Sequence, residues 1–233
     1  MTFRMAGCTG HKFMKHFIIF LFYLTASADV FSQNHLDLEK IRKVVLDSSL
    51  YFSYNSLVEE FNTNPSMIDI GKGTIIYYGK LFTKDYKPYK INFDEIEFTK
   101  LVSRKKYKQA IPKGEEIIKH DPVNLEILSE LSLCYKRMNS TDKAELTKIK
   151  VGALLSSILN YGSGLSKEIT LKVISVGDEY AAMGMLGISG ISMNSSISVP
   201  SILDTWKAKD KNGKRIDFFV EVLNNLQALP SDK

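Results

Sequence analysis

The chain has 233 residues, 44% of them hydrophobic and 24% charged, with a formal charge of +5, which is enough apolar material for one large core or two small ones. Its 31 basic residues are nearly balanced by 26 acidic ones, and no lysine cluster is interleaved with aromatic rings, so a nucleic-acid groove is excluded. Two cysteines and four histidines are too few for a disulfide framework or a histidine-rich metal centre.

The first element is "MKHFIIFLFYLTASADVFSQ", Met14 to Gln33. Lys15 and His16 precede the apolar run Phe17 to Leu24, and the small residues Ala26, Ser27 and Ala28 follow, which is the charged, apolar and small-residue order of a secretory signal peptide. A spanning helix needs about 20 apolar residues. This run stops at Leu24 and meets Asp29, so no stable membrane span is expected to remain. Residues 1–33 are therefore expected to be a leader and signal peptide, with cleavage after Ala28 or before Gln33 and with Met14 as an alternative start to Met1. Cys8 precedes the apolar run instead of following it, which argues against an acyl anchor. The expected product is exported, periplasmic or secreted, with 200 residues and a charge of about +3. Its one thiol, Cys134, has the apolar neighbours Leu131, Leu133 and Tyr135 and is expected in the core.

Downstream, Leu36 to Asp47 and Leu50 to Phe61 carry apolar residues at helical spacing, and a short helix is expected through Ile75 to Leu81. Tyr86, Pro88 and Tyr89 form an extended connector. Four helices follow, from about Asp94 to Arg104, Tyr107 to His120, Leu125 to Met138 and Asp142 to Leu159, with Asp142 expected to cap the last. Ala110 and Ala144 lie 34 residues apart, each three residues after its link, and Pro122 closes a helix. With Leu128, Leu131, Ser132 and Tyr135, this is the spacing of tetratricopeptide repeats, about one and a half of them. Gly114 and Lys148 stand where that repeat places larger apolar residues, so looser packing is expected there. Pro112 suits only a first helical turn, so that helix is expected to begin after Tyr107.

Gly162, Ser163 and Gly164 read as a flexible boundary, after which alternation of period two replaces helical spacing. "EITLKVISVGDEY" reads as a strand through Val176, and Gly184 to Ser198 as a loop or ragged edge strand. Two further strands flank Lys211, Asn212 and Gly213, with Asn-Gly supplying a tight turn that brings Trp206 to Phe218 or Phe219. The expected class is α+β: N-terminal helical hairpins, tetratricopeptide-like, over 34–161, then a small antiparallel sheet over 162–233 packed on the helices as one compact unit.

"IIYYGKLFTKDYKPY", the hairpin ending "HDP" and "SGLSKEITLKVISVGDEY" together resemble a family of exported bacterial proteins known as domain of unknown function 4919. The likeness runs from about Leu50 to Val222 and implies that Tyr77, Tyr78, Gly79, Tyr86, Tyr89, Gly162, Gly164, Asp178, Glu179 and Tyr180 belong to the shared pattern. In that family an acidic residue often stands between the glycines and a serine before them. Here Ser163 and Tyr161 occupy those places, which argues against a cation-holding turn. The resemblance implies a shape and no reaction.

Outside the leader only His35 and His120 remain, too few for a histidine-based metal or serine site, and His120 suits a helix C-terminus. Gly71 to Thr74 lacks the spacing of a phosphate loop. Arg104 to Lys108 reads as a solvated link. Asp178 and Glu179 would form a paired-carboxylate site if a turn or bulge at Gly177 turned both to one side. The tyrosines either line a groove for sugar or peptide or plug a junction between helices. The expected function is a non-catalytic module binding a protein or peptide of the bacterial envelope, without metal or cofactor, with self-association through a sheet edge as a further option. The alternative is a carboxylate-dependent hydrolase acting on glycan or peptide.

Overall fold

A computed structural model describes residues 35–47, 53–87, 92–198 and 201–224; the leader at 1–33, Leu50, Pro88 and Tyr89 lie outside them. Among the described residues eight α-helices occupy α1 Leu38–Leu46, α2 Tyr54–Thr63, α3 Ile70–Gly79, α4 Phe93–Ser103, α5 Tyr107–His120, α6 Leu125–Arg137, α7 Thr141–Leu159 and α8 Val176–Met185. In the same described residues four strands follow or interrupt them, β1 Leu171–Val173, β2 Ser189–Ser198, β3 Ser201–Lys209 and β4 Arg215–Leu223. The class is α+β, with the helices mostly before the sheet.

Short polar side chains set the helix starts. Asp37, Ser53, Asp69, Asn92, Asn124 and Ser175 each accept a backbone N–H of the first turn they precede. The expected cap Asp142 is not one: Ser140 holds the cap position of α7 without a side-chain bond, and Asp142 sits inside the first turn. α5 begins at Tyr107 with Pro112 inside it, contrary to the expected later start. The missing proline N–H leaves the carbonyl of Lys108 without its helical donor, a local loss that burial of Ala110, Gly114 and Ile117 offsets.

The two helix links share one geometry. Lys105 and Asn139, 34 residues apart, both take φ of +58°. Lys106 N–H returns to Leu101 O at 2.9 Å and Ser140 N–H to Tyr135 O at 2.9 Å, so α4 and α6 each close in the left-handed turn that satisfies the last carbonyls. Looser packing at Gly114 is not found. A Cβ there would lie 2.6 Å from the Phe98 ring and 2.7 Å from Leu131, so α4, α5 and α6 meet where only glycine fits. Phe98, Val102, Ala110, Ile117, Ile127, Leu131, Cys134 and Tyr135 form the core of this hairpin layer. Burial and the charge of Glu130 push the Cys134 thiol up to about 11, leaving it inert.

A larger core joins α1–α3, α6 and α7 to α8 and the inner face of the sheet. The strand order is β1-β4-β3-β2. β2–β3 and β3–β4 are antiparallel as expected, whereas β1 runs parallel to β4, with Leu171 opposite Val220. β1 has three residues because Ser175, two past its end, caps a helix where alternation suggested continuing strand. Gly184–Ser198 contains the last two residues of α8 and all of β2, the edge strand of the sheet. Trp206 does pair with Phe218, across a longer connection than Asn-Gly alone: Asp210 Oδ1 accepts Asn212 N–H and Lys214 N–H at 2.9 Å, and positive φ falls on Gly213.

Gly152 lies inside α7 with open space around its Cβ direction. Gly152→Ala is expected to raise stability by about 0.5–1 kcal/mol, since alanine loses less backbone freedom on entering a helix. An unchanged or lower urea midpoint would contradict this.

Candidate functional site

Tyr77 and Tyr78 project from α3 and are fully buried, ring edge to ring face at 4.9 Å. Their hydroxyls need partners in a dry interior, and both find them on the sheet side. Tyr77 donates to Asp178 Oδ2 at 2.9 Å and accepts from Ile174 N–H at 3.2 Å. Tyr78 donates to Lys172 O at 3.0 Å. Tyr86 Oη lies 2.9 Å from Ile174 O and 3.2 Å from Leu223 O. Lys172 and Ile174 are alternate residues, whose backbone groups point to the same side of an extended segment. That side is the outer edge of β1, so three tyrosines close one edge of the sheet.

Asp178 and Glu179 stand in the first turn of α8, not on a strand. Ser175 Oγ receives Asp178 N–H at 3.0 Å, which starts the helix there. Successive helical residues diverge by about 100°. Asp178 therefore turns toward α3 and α6, where its Oδ1 accepts Leu125 N–H at 3.0 Å and caps α6 alongside Asn124. Glu179 turns toward the sheet, accepting Trp206 Nε1–H at 2.5 Å. The paired-carboxylate site that a turn at Gly177 would have allowed does not form: the two acids serve different interfaces, at 2% and 0% exposure.

Burial pushes Asp178 up to about 6, against the pull of Lys80 and of its Tyr77 and Ser175 hydrogen bonds. Lys80 is itself paired with Asp121. Glu126, half-buried, is pushed up to about 7 by burial and then by Glu130, Asp178 and Glu95. It lies against Gly177, where a Cβ would fall 2.1 Å from Glu126 Oε2. Glu179 is pushed upward by burial and then by the neighbouring Asp204, against the pull of its Trp206 hydrogen bond. Glu179 Oε2 and Asp204 Oδ1 are both buried without a hydrogen-bond partner. Two unscreened carboxylates side by side disfavour double ionisation, which is why Asp204 adds to the upward push on Glu179.

Asp204 escaped the sequence reading, although it carried a mark. Ile202, Asp204, Trp206 and Ala208 alternate along β3, which puts an acid on the apolar face. Asn124, Asp121 and Lys80 gave no such mark, because helix-end residues of that type are commonplace. Tyr180 is exposed, its ring edge-on to Trp206 at 5.6 Å.

The glycine turn is tied rather than flexible. A Cβ on Gly162 would meet Thr170 O at 1.8 Å. Gly164, at φ +75°, lies under the Phe218 ring, and it receives Phe219 N–H and gives its own N–H to Ile169 O, each at 2.8 Å. Gly164→Ala is expected to cost about 2 kcal/mol, from the left-handed backbone and the displaced ring. Thermal melting checks this, and a wild-type midpoint would refute it. Tyr77, Tyr78, Asp178 and the β1 edge thus come together, Glu179 joins Asp204 and Trp206, and Gly162 and Gly164 brace the far side of β1 and β4.

Among the described residues no three acidic, histidine or cysteine side chains are arranged to hold a metal ion, and no helix is long and apolar enough to cross a membrane. An open groove of about 810 Å³ lies elsewhere, between the Pro65–Gly71 segment and Ile149, Gly152, Ala153 and Ser156 of α7. A general acid or base must reach a substrate proton. The buried carboxylates line neither this groove nor the depression of about 390 Å³ at Ile191, Lys207 and Arg215.

No curated protein matches the chain, and no solved structure matches it. A family model does, described as domain of unknown function (DUF4919), over residues 39–228, and with most of the chain inside that match the protein belongs to this family.

Proposed function

We propose that the protein is a non-catalytic binding module of the bacterial envelope, exported by its N-terminal leader, which takes a protein or peptide segment in the groove beside α7. One observation carries this reading: every carboxylate offered for chemistry is consumed inside the fold, while the groove stays open. Its walls combine exposed Ile70 and Ile149 with Gly71, Gly152 and Ala153, small residues that let a chain approach closely. The tetratricopeptide-like reading is supported by the shared link geometry at Lys105 and Asn139 and by the contact at Ala110, fully buried between helices. Stacked helical hairpins commonly present such surfaces to extended ligands. Nothing favours the hydrolase alternative, since Asp178 and Glu179 are sealed from solvent.

Gly152→Arg tests it, because the open space at this position accepts a long side chain without disturbing the helix. An envelope protein retained reproducibly by the wild type at micromolar concentration should be lost on the variant, with melting no lower than that of the wild type. An identical set of retained proteins for both, or none for either, would sink the proposal.

A further inference from the structure

The two edges of the sheet are treated differently. β1 is closed by the hydroxyls of Tyr77, Tyr78 and Tyr86. β2, ten residues long, pairs with β3 on one side, and among the described residues nothing pairs with its other side. Natural edge strands are ordinarily blunted by charge, proline or brevity. β2 reads "SGISMNSSIS", with no charged residue and no proline. Its one irregularity, the register shift at Ile191 between Gly190 and Ser192, leaves the run from Ser192 onward regular.

The side-chain order of that run is self-complementary. Met193 lies opposite Trp206, Ser195 opposite Asp204 and Ile197 opposite Ile202, so these three share the helix-side face of the sheet. Asn194 and Ser196, opposite Thr205 and Leu203, share the outer face. Met193 is 45% exposed and Ile197 80%, unusual for apolar side chains two positions either side of a serine. A two-fold axis through Ser195 sets Met193 against Ile197 of a second copy, twice over. On the outer face it sets Asn194 against Ser196. A centre one residue earlier would place Met193 against serine and Ile197 against the irregular Ile191.

We propose that the protein forms a symmetric dimer through antiparallel pairing of β2 with β2 about Ser195, making one eight-stranded sheet. The isologous geometry satisfies both free edges at once and closes the assembly at two copies. This rests on the sheet alone and stands apart from the groove.

The test uses charge on the outer face, away from the Glu179–Asp204 pair. The double variant Asn194→Lys with Ser196→Lys sets like charges directly opposite each other in this register, as does Asn194→Glu with Ser196→Glu. Sedimentation of the protein in the form the cell accumulates, at about 50 μM, should give a dimer for the wild type and a monomer for each variant alone. Mixing the two variants in equal amounts should restore a dimer. A monomeric wild type, variants that still dimerise alone, larger open assemblies, or a mixture that stays monomeric would each overturn the proposal.

Discussion

Replacing Tyr77 by phenylalanine is expected to lower stability by about 3 kcal/mol at pH 7, and the melting temperature by roughly 6–12 °C for a domain of this size. The ring volume is retained, so no cavity opens and the loss is entirely polar. Two groups lose their partner together: Asp178 Oδ2, a buried carboxylate oxygen, and Ile174 N–H. A hydrogen bond to a charged group contributes about 1.5–3 kcal/mol, and an orphaned buried N–H costs about 1–3 kcal/mol, with partial relaxation between them. The equivalent change at Tyr86, half-buried, should cost about 1 kcal/mol. At Tyr180, exposed and holding Trp206 only by its ring, the effect should lie within experimental error. Urea titration of the three variants checks the ranking, and equal losses at Tyr77 and Tyr180 would refute the edge-closing role.

That ranking could not have been read from the sequence, and the reason is physical. Helical spacing reported where α4 to α7 lie because their buried residues recur every three or four positions, and the cores of those helices depend on that period. The partners of Tyr77 sit 101 and 97 residues away, at Asp178 and Ile174, and no local pattern encodes so distant a pairing. The sequence singled out Tyr77 and Tyr78 as a groove or plug and Asp178 separately as half of a carboxylate pair. What it lacked was their burial, which turns a site for a ligand into a junction.

The misreading of "VISVGDEY" has a definite cause. Leu171, Val173 and Ser175 alternate with Lys172 and Ile174, and strand period and helix cap overlap at Ser175. A serine followed three residues later by an acid also starts a helix, and Ser175 with Asp178 is that arrangement. The local capping bond prevailed over β-branched propensity, and it carried both acids out of the sheet. Likewise Gly190, inside the stretch expected as a loop or ragged edge strand, leaves room for Trp206: a Cβ there would lie 2.5 Å from the indole. The glycine is a cost of seating the indole beside Glu179.

Mild acid should stabilise this protein, the reverse of the usual behaviour of acidic groups held in ion pairs. Asp178 moves from 3.8 to about 6, Glu126 from 4.5 to about 7, and Glu179 also moves upward. Between about pH 4 and 7 the folded state therefore binds more protons than the unfolded one. Stability from these groups is complete below their unfolded values, declines as pH rises through that window and levels off above about 7. Asp178 alone, displaced by about two units, accounts for about 3 kcal/mol of the decline. The half-exposed Glu126 adds less because water screens it. Glu179→Gln should remove one share of the dependence and raise stability at pH 7.5, since the amide donates permanently to Asp204 and still accepts from Trp206. Trp206 is the chain's single tryptophan, so its fluorescence reports unfolding and the charge on Glu179 together. Urea midpoints at pH 5 and 7.5 should differ in favour of pH 5 for the wild type, and by less for Glu179→Gln. A higher midpoint at pH 7.5, or an undiminished difference in the variant, would show that the buried Glu179 does not carry its share of this dependence.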